Sequence, residues 1–221
     1  MCGRYTLQDA QEFLEHVFKI FDVPEFIPRY NIAPTQQVAA VRKIANKNQL
    51  AFLRWGLIPF WAKDITLSAR MINARAESVY DKPSFKAAYK KRRCLIIADG
   101  FYEWERVNGK KQPYYFQLKN SQPFAFAGLW EKWNKTKQTI ESCTIITTTA
   151  NELMSSIHER MPVIIDSNDY EMWLDSSFDD INILNTLLRP YPDSKMKMHP
   201  VNDRVNSPIY DFSECIAPLV K

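Results

Sequence analysis

Residues 93–118 read RCLIIADGFYEWERVNGKKQPYYFQL. The run Cys94-Leu95-Ile96-Ile97-Ala98 is apolar without a break and too short for a helix, which fits a strand buried on both faces. Phe101 to Val107 is rich in aromatic residues and alternates in character. Asn108-Gly109 is a strong hairpin signal, because a tight turn needs residues that tolerate positive φ. Pro113 to Leu118 then returns as the partner strand. This stretch therefore predicts consecutive antiparallel strands. On the second of them Glu103 shares a face with Phe101, opposite Tyr102 and Trp104.

The same grammar extends outward. Upstream, Val38 to Ile44 and Leu50 to Trp55 read as strands joined by an Asn46-Lys47-Asn48 turn. Downstream, Phe124 to Trp130, Cys143 to Thr149 and Pro162 to Ile165 are strand-like, and His199 precedes Pro200 in a late strand-like segment. Asp9 to Phe21 has helical spacing, with Phe13, Leu14, Val17, Phe18 and Phe21 expected on its buried face. Pro24 and Pro28 end that pattern. Shorter helices fit Asn151 to Glu159, Asn168 to Leu174 and Asp180 to Leu188. Strands and helices mix without regular βαβ alternation. The expected fold is α+β, with a curved, largely antiparallel and barrel-like sheet flanked by short helices. No repeat or linker divides residues 1–221, so one domain is expected.

The bulk composition narrows the classes of function. A chain of 221 residues can bury a core without staples. It has no apolar run of the roughly 18 residues that a membrane span needs. The N-terminus lacks the basic-then-apolar order of a signal peptide, so a soluble cytoplasmic protein is expected. Cys2, Cys94, Cys143 and Cys215 lie far apart with no C-x-x-C pair, and neither metal nor cofactor is expected. Cys94 and Cys143 sit in apolar strands and read as buried thiols. A net charge of +4 and a pI near 8.8 permit an anionic partner without requiring one.

Three stretches carry chemistry. In Met1-Cys2-Gly3-Arg4, removal of Met1 leaves a cysteine with its α-amine and thiol on adjacent carbons. An α-amine, with a pKa near ~8, is far more often neutral than a lysine at physiological pH. A neutral amine attacks an aldehyde to give an imine, and the neighbouring thiol can close on it as a thiazolidine. No internal cysteine can do this. In Met71-Ile72-Asn73-Ala74-Arg75-Ala76-Glu77, alternation sends Asn73, Arg75 and Glu77 to one strand face. These side chains fit either a polar site or an ordinary edge. Glu103 reads either as a proton-transfer group among aromatics or as a solvent-facing hairpin position. In Ile157-His158-Glu159-Arg160-Met161-Pro162, His158 suits either acid–base work or a helix end, and Arg160 a phosphate. His199 carries only a structural reading.

The segments MCGRY, RYNIAP, LRWGLIPFWA, INARAES, ADGFYEW, AFAGLW, TIITTTAN, IHERMPVI and HPVNDRVNSP occur in the order found in the SRAP family. These are SOS-response-associated, abasic-site-processing proteins of the DNA damage response. The resemblance runs from residue 2 to about residue 208. It implies covalent capture, by the N-terminal cysteine, of abasic sites in single-stranded DNA. Cys2 would be the nucleophile, Asn73 would orient the opened sugar and the α-amine, and Glu103 would move protons. His158 would assist ring opening. Arg4, Arg75 and Arg160 resemble the family's phosphate contacts, Asn31 and Pro34 belong to the loop near the nucleophile, and Trp104 would support the site or the DNA path. Some members have two tryptophans where this chain has Phe60-Trp61, and either pair offers aromatic faces to a base. The chemistry implied needs no cofactor and only one chain, so a monomer is expected.

Two other readings share these residues. One is a cysteine hydrolase or self-processing peptidase built on Cys2, His158 and Asn73 or Glu103. The other is a non-catalytic single-strand binder using Trp61, Trp104 and the arginines.

Overall fold

The computed structural model describes residues 2–107, 109–135 and 138–219. In chain order the first strands are β1 (Tyr5–Leu7), β2 (Arg29–Ile32), β3 (Gln37–Ile44), β4 (Lys47–Trp55) and β5 (Asn73–Arg75). Next come β6 (Arg93–Ala98), β7 (Gly100–Val107), β8 (Lys110–Leu118), β9 (Phe124–Trp133) and β10 (Ile140–Thr149). Short strands β11 (Arg160–Pro162), β12 (Ile164–Ile165) and β13 (Met196–Pro200) finish the set. The helices are α1 (Gln11–Phe18), α2 (Lys86–Lys91), α3 (Glu152–Ser155), α4 (Tyr170–Leu174) and α5 (Ile181–Thr186).

The apolar run of residues 94–98 lies inside β6, every residue of which is buried. β6 pairs with β3 on one side and β9 on the other. β3 continues to β4, β4 to β10, and β10 back to β9, which closes a ring of five strands. Closure removes the free edges that an open sheet exposes. The second sheet has the order β13-β8-β7-β1-β2 and is antiparallel throughout. Parallel pairing occurs only where β10 meets β4 and β5, among the described residues. The fold is α+β and largely antiparallel, with few short helices.

Aromatic side chains seam the two sheets together. Tyr5 of β1 meets Trp55 at 5.4 Å between ring centres and Phe126 at 5.8 Å. Phe101 of β7 stacks on Phe116 at 5.2 Å and meets Phe126 edge-on at 5.9 Å. Offset and edge-on pairs of this kind add to the area that the rings bury.

Several expectations shift. Helix α1 stops at Lys19, whose φ of 57° lets its N–H bond to the carbonyl of Leu14. The chain leaves helical geometry there, so Phe21 is 74% exposed and not packed beneath the helix; Val17, within the helix, is 40% exposed, and the buried residues of α1 are Leu14 and Phe18. The β3–β4 turn is Ala45-Asn46, with φ of 48° and 60°, and Lys47 and Asn48 already belong to β4. Two central residues with positive φ match the right-handed twist of the flanking strands. The expected helix from Asn151 to Glu159 is only one turn, capped by the Asn151 side chain on the N–H of Met154 at 2.9 Å. Strands β7 and β8 pair as expected through Val107 and Lys110; Asn108 lies outside the described residues, and Gly109 has φ +78°.

Candidate active site and nucleic-acid interface

Residue 2 is anchored from three directions. β1 pairs with β7 through Tyr5–Phe101 and Thr6–Gly100, and the N–H of Tyr102 bonds to the carbonyl of Arg4 at 3.0 Å. Continuing that antiparallel register carries residues 2 and 3 alongside Glu103. From the ring sheet, the Asn73 side-chain amide donates to the carbonyl of Cys2 at 2.8 Å. The Cys2 sulfur lies 4.0 Å from the carbonyl of Arg4. Cys2 is fully buried, whereas Met1 lies outside the described residues.

The electrostatics follow from that packing. Burial pushes the Cys2 thiol well above its ordinary pKa, and the nearby Glu103 carboxylate pushes it the same way. The resting side chain is therefore a neutral thiol. Glu103 is only 3% exposed, so the solvent-facing alternative for this residue does not hold. The physical reason is its shared face with Phe101, which points into the seam between the sheets. Asn73 Oδ1 is buried and has no partner among the described residues, leaving an acceptor beside residue 2.

β10 lies between the strand that carries Asn73 and the strand that follows His158. Ile145 pairs with Asn73 and Thr147 with Arg75 on one side; Thr149 pairs with Arg160 on the other. The alternation expected for residues 73–77 holds, with Ala74 and Ala76 buried and Arg75 and Glu77 exposed. His158 is half-buried, and its Nδ1 accepts from the backbone N–H of Arg160 at 2.9 Å. The Arg160 guanidinium is engaged by both carboxylate oxygens of Glu77, at 2.6 and 3.0 Å, and by the carbonyl of Thr147 at 2.6 Å. Its side chain is thus internally paired.

A second wall is built from the C-terminal segment. Arg4 donates to the carbonyl of Val205 at 2.8 Å and to Asn31 Oδ1 at 3.2 Å. Trp104 donates through its indole N–H to Asn206 Oδ1 at 2.7 Å. Asn31 is fully buried, and its amide nitrogen is shared among the carbonyls of Val205, Ser207 and Tyr210. Pro34 is half-buried and enters a turn whose next residue, Thr35, has φ 73°. Phe60 and Trp61 stand 52% and 45% exposed. The adjoining Ile58 and Ala62 are buried with Trp133, whose indole donates to the carbonyl of Ala62 at 2.9 Å. Two exposed aromatic faces on an anchored loop are a suitable base platform.

The family model for SOS response associated peptidase (SRAP) matches residues 1–208. The chain belongs to the SRAP family. It is 44% identical over 224 residues to the abasic site processing protein YoqW of Bacillus subtilis, covering 98% of this chain and 99% of that protein. It is 30% identical over 231 residues to the abasic site processing protein HMCES of Xenopus tropicalis, covering 90% and 68%. A crystal structure of a protein from Bacteroides thetaiotaomicron superposes with a TM-score of 0.87 at 25% identity, covering 99% and 100% of the two chains.

Of the SRAP residues carried over from sequence, Cys2, Asn73 and Glu103 come together around residue 2. His158 and Arg160 form a second cluster across β10. Arg4, Asn31 and Trp104 share the wall made by residues 205–210, with Asn31 turned inward. The alternation of residues 73–77 places Glu77 on the exposed face without assigning it a partner. Its partner lies 83 residues away, and no local pattern signals such a pair.

Proposed function

We propose that the chain captures abasic sites in single-stranded DNA as a covalent thiazolidine on Cys2, after loss of Met1. The hydrogen bond from Asn73 to the Cys2 carbonyl, 2.8 Å long, carries this reading. It holds residue 2 beside Glu103 and next to an unused acceptor on Asn73. Membership of a family whose relatives are named abasic site processing proteins supports the substrate.

The reaction begins with the abasic sugar as a closed hemiacetal. His158 holds the ring oxygen with a hydrogen bond as the ring opens to the C1′ aldehyde, and Glu103 carries the proton of the anomeric hydroxyl to that oxygen, which becomes the C4′ hydroxyl. The neutral α-amine of Cys2 adds to C1′. Glu103 then relays a proton from the carbinolamine nitrogen to its hydroxyl, which leaves as water and gives the neutral imine. The thiol adds across the C=N bond, sulfur to C1′ and proton to nitrogen, closing the five-membered ring. If closure fails, the same imine permits β-elimination and strand cleavage, so lyase activity is a side branch. The buried Cys2 thiol suits this order, because the amine reacts first and a resting thiolate is not needed.

Phe60 and Trp61 would stack on bases, and Arg4, Arg75, Trp104 and Arg160, with the loop of Asn31 and Pro34, would line the DNA path. One chain forming one domain suffices, working in the cytoplasm on nucleoid DNA. The test mixes the mature protein with a uracil-containing single strand treated with uracil glycosylase, then runs a denaturing gel. A slow band specific to the abasic strand and absent in Cys2→Ala supports capture. Binding that 1 M salt fully reverses, with Cys2→Ala unaffected, would leave a non-catalytic single-strand binder.

A further inference from the structure

The Glu77–Arg160 pair is too well built for a contact of no consequence. Arg160 keeps only 11% of its side chain exposed. Its guanidinium uses both terminal nitrogens on one carboxylate, the geometry that makes arginine–carboxylate pairs directional. One of those nitrogens also reaches the carbonyl of Thr147, near the C-terminal end of β10. Glu77 follows β5, which carries Asn73, and Arg160 opens β11, which follows His158. The ion pair therefore spans β10 and ties the two flanking elements to each other.

What that tie fixes is the turn at residues 158–160. A backbone N–H can only donate, so the bond from Arg160 makes His158 Nδ1 an acceptor. In the neutral ring the proton then sits on Nε2. A hydrogen bond at one ring nitrogen sets what the other nitrogen presents. His158 is thereby prepared to donate a hydrogen bond from Nε2, which is what opening of the sugar ring asks of it. The ladder pair with Thr149 holds the Arg160 backbone, and Glu77 supplies two of the four acceptors that hold its guanidinium.

We infer that Glu77 is a positioning residue which, through Arg160, fixes the tautomer and orientation of His158. The catalytic part of this inference rests on the function proposed above; the tautomer part does not. The carboxylate never touches DNA in this account. It also engages Arg160, so the cation meets a phosphate only as a paired group.

The experiment has two readouts. The first is the ring ¹⁵N spectrum of the DNA-free protein, whose three histidines are distinguished with His158→Ala. Wild type should show His158 as the Nε2–H tautomer, and Glu77→Ala and Glu77→Gln should show a mixture. The second is the rate constant of covalent capture at saturating abasic DNA. Glu77→Ala should slow it about 10- to 100-fold, the scale of a small misplacement of a reacting group. In the His158→Ala background the same change should have no further effect, because residues acting through one group are not additive. A His158 ring unchanged in both Glu77 variants overturns the inference whatever the DNA does. An equal slowing with and without His158 overturns it too, since that is the mark of a general structural loss. A wild-type protein that forms no adduct refutes the proposed function, and the ring spectrum still decides the role of Glu77.

Discussion

Asn73 and Cys2, 71 residues apart, are joined by a 2.8 Å bond from a side-chain amide to a backbone carbonyl. The bond connects the sheet that bears the N-terminus to β5, which pairs with the ring strand β10. In Asn73→Ala the carbonyl loses its donor and residue 2 loses its fixed distance from Glu103. Capture of an abasic strand should slow by roughly 100-fold, as expected when a nucleophile is no longer held in line. Asn73→Asp should be no faster near neutral pH, because a carboxylate has no N–H to offer. Single-turnover gels report both rates.

Asn31 acts in a different way. Its amide bonds the carbonyls of Val205 at 3.1 Å, Ser207 at 2.9 Å and Tyr210 at 2.8 Å from a fully buried position. Asn31→Ala should cost about 1–3 kcal/mol, the penalty for leaving buried polar groups unmet. Thermal unfolding should show a fall of several degrees. Trp104 and Arg4 lean on the same segment, so binding of intact single strands should weaken alongside.

Trp61 and Phe60 should affect encounter and not chemistry. Replacing either with alanine removes one stacking face, worth about 1–3 kcal/mol per base, or roughly 5- to 150-fold in Kd. Fluorescence anisotropy with an intact single strand measures this. The capture rate at saturating abasic DNA should stay within about twofold of wild type, since neither ring carries a reacting proton.

Burial raises the pKa of the Cys2, Cys94 and Cys143 thiols and of the Tyr5, Tyr102 and Tyr115 phenols. Each group binds its proton more tightly in the folded chain than in the unfolded one. The resulting stability is whole below the unfolded values, about 8.5 for thiols and 10 for phenols, and is lost as pH rises past them. Urea midpoints should therefore be flat between about pH 6 and 8 and fall steadily from about pH 9. A midpoint that rises or stays level to pH 11 would contradict this. Native protein should likewise react slowly with thiol reagents until it is unfolded.

How much of this was legible in the sequence differs by element. β6, β7 and β8 announce themselves, because an apolar run, an aromatic alternation and a turn signal lie within 26 residues. β1 and β2 do not. Tyr5–Leu7 is three residues long, and its partners are Ile32 and Phe101, contacts that no local pattern encodes. α2 escaped notice because it offers only Ala88 and Tyr89 to the core. The phenylalanine at position 21 misled through its helical spacing, which the left-handed Lys19 cuts short. For the site, residue types and family order pointed to Cys2, Asn73, Glu103 and His158. The inward turn of Asn31 and the pairing of Glu77 with Arg160 depend on chain closure and become visible only in three dimensions.

The most direct test of covalent capture is to locate the adduct. Abasic single-stranded DNA is incubated with the protein, digested with nuclease and trypsin, and analysed by tandem mass spectrometry. A thiazolidine on residue 2 predicts a sugar remnant on the peptide Cys2-Gly3-Arg4, with Met1 gone and with the Cys2 thiol closed to alkylation. A remnant on a lysine, or a Cys2 peptide that alkylates freely after DNA treatment, would contradict it.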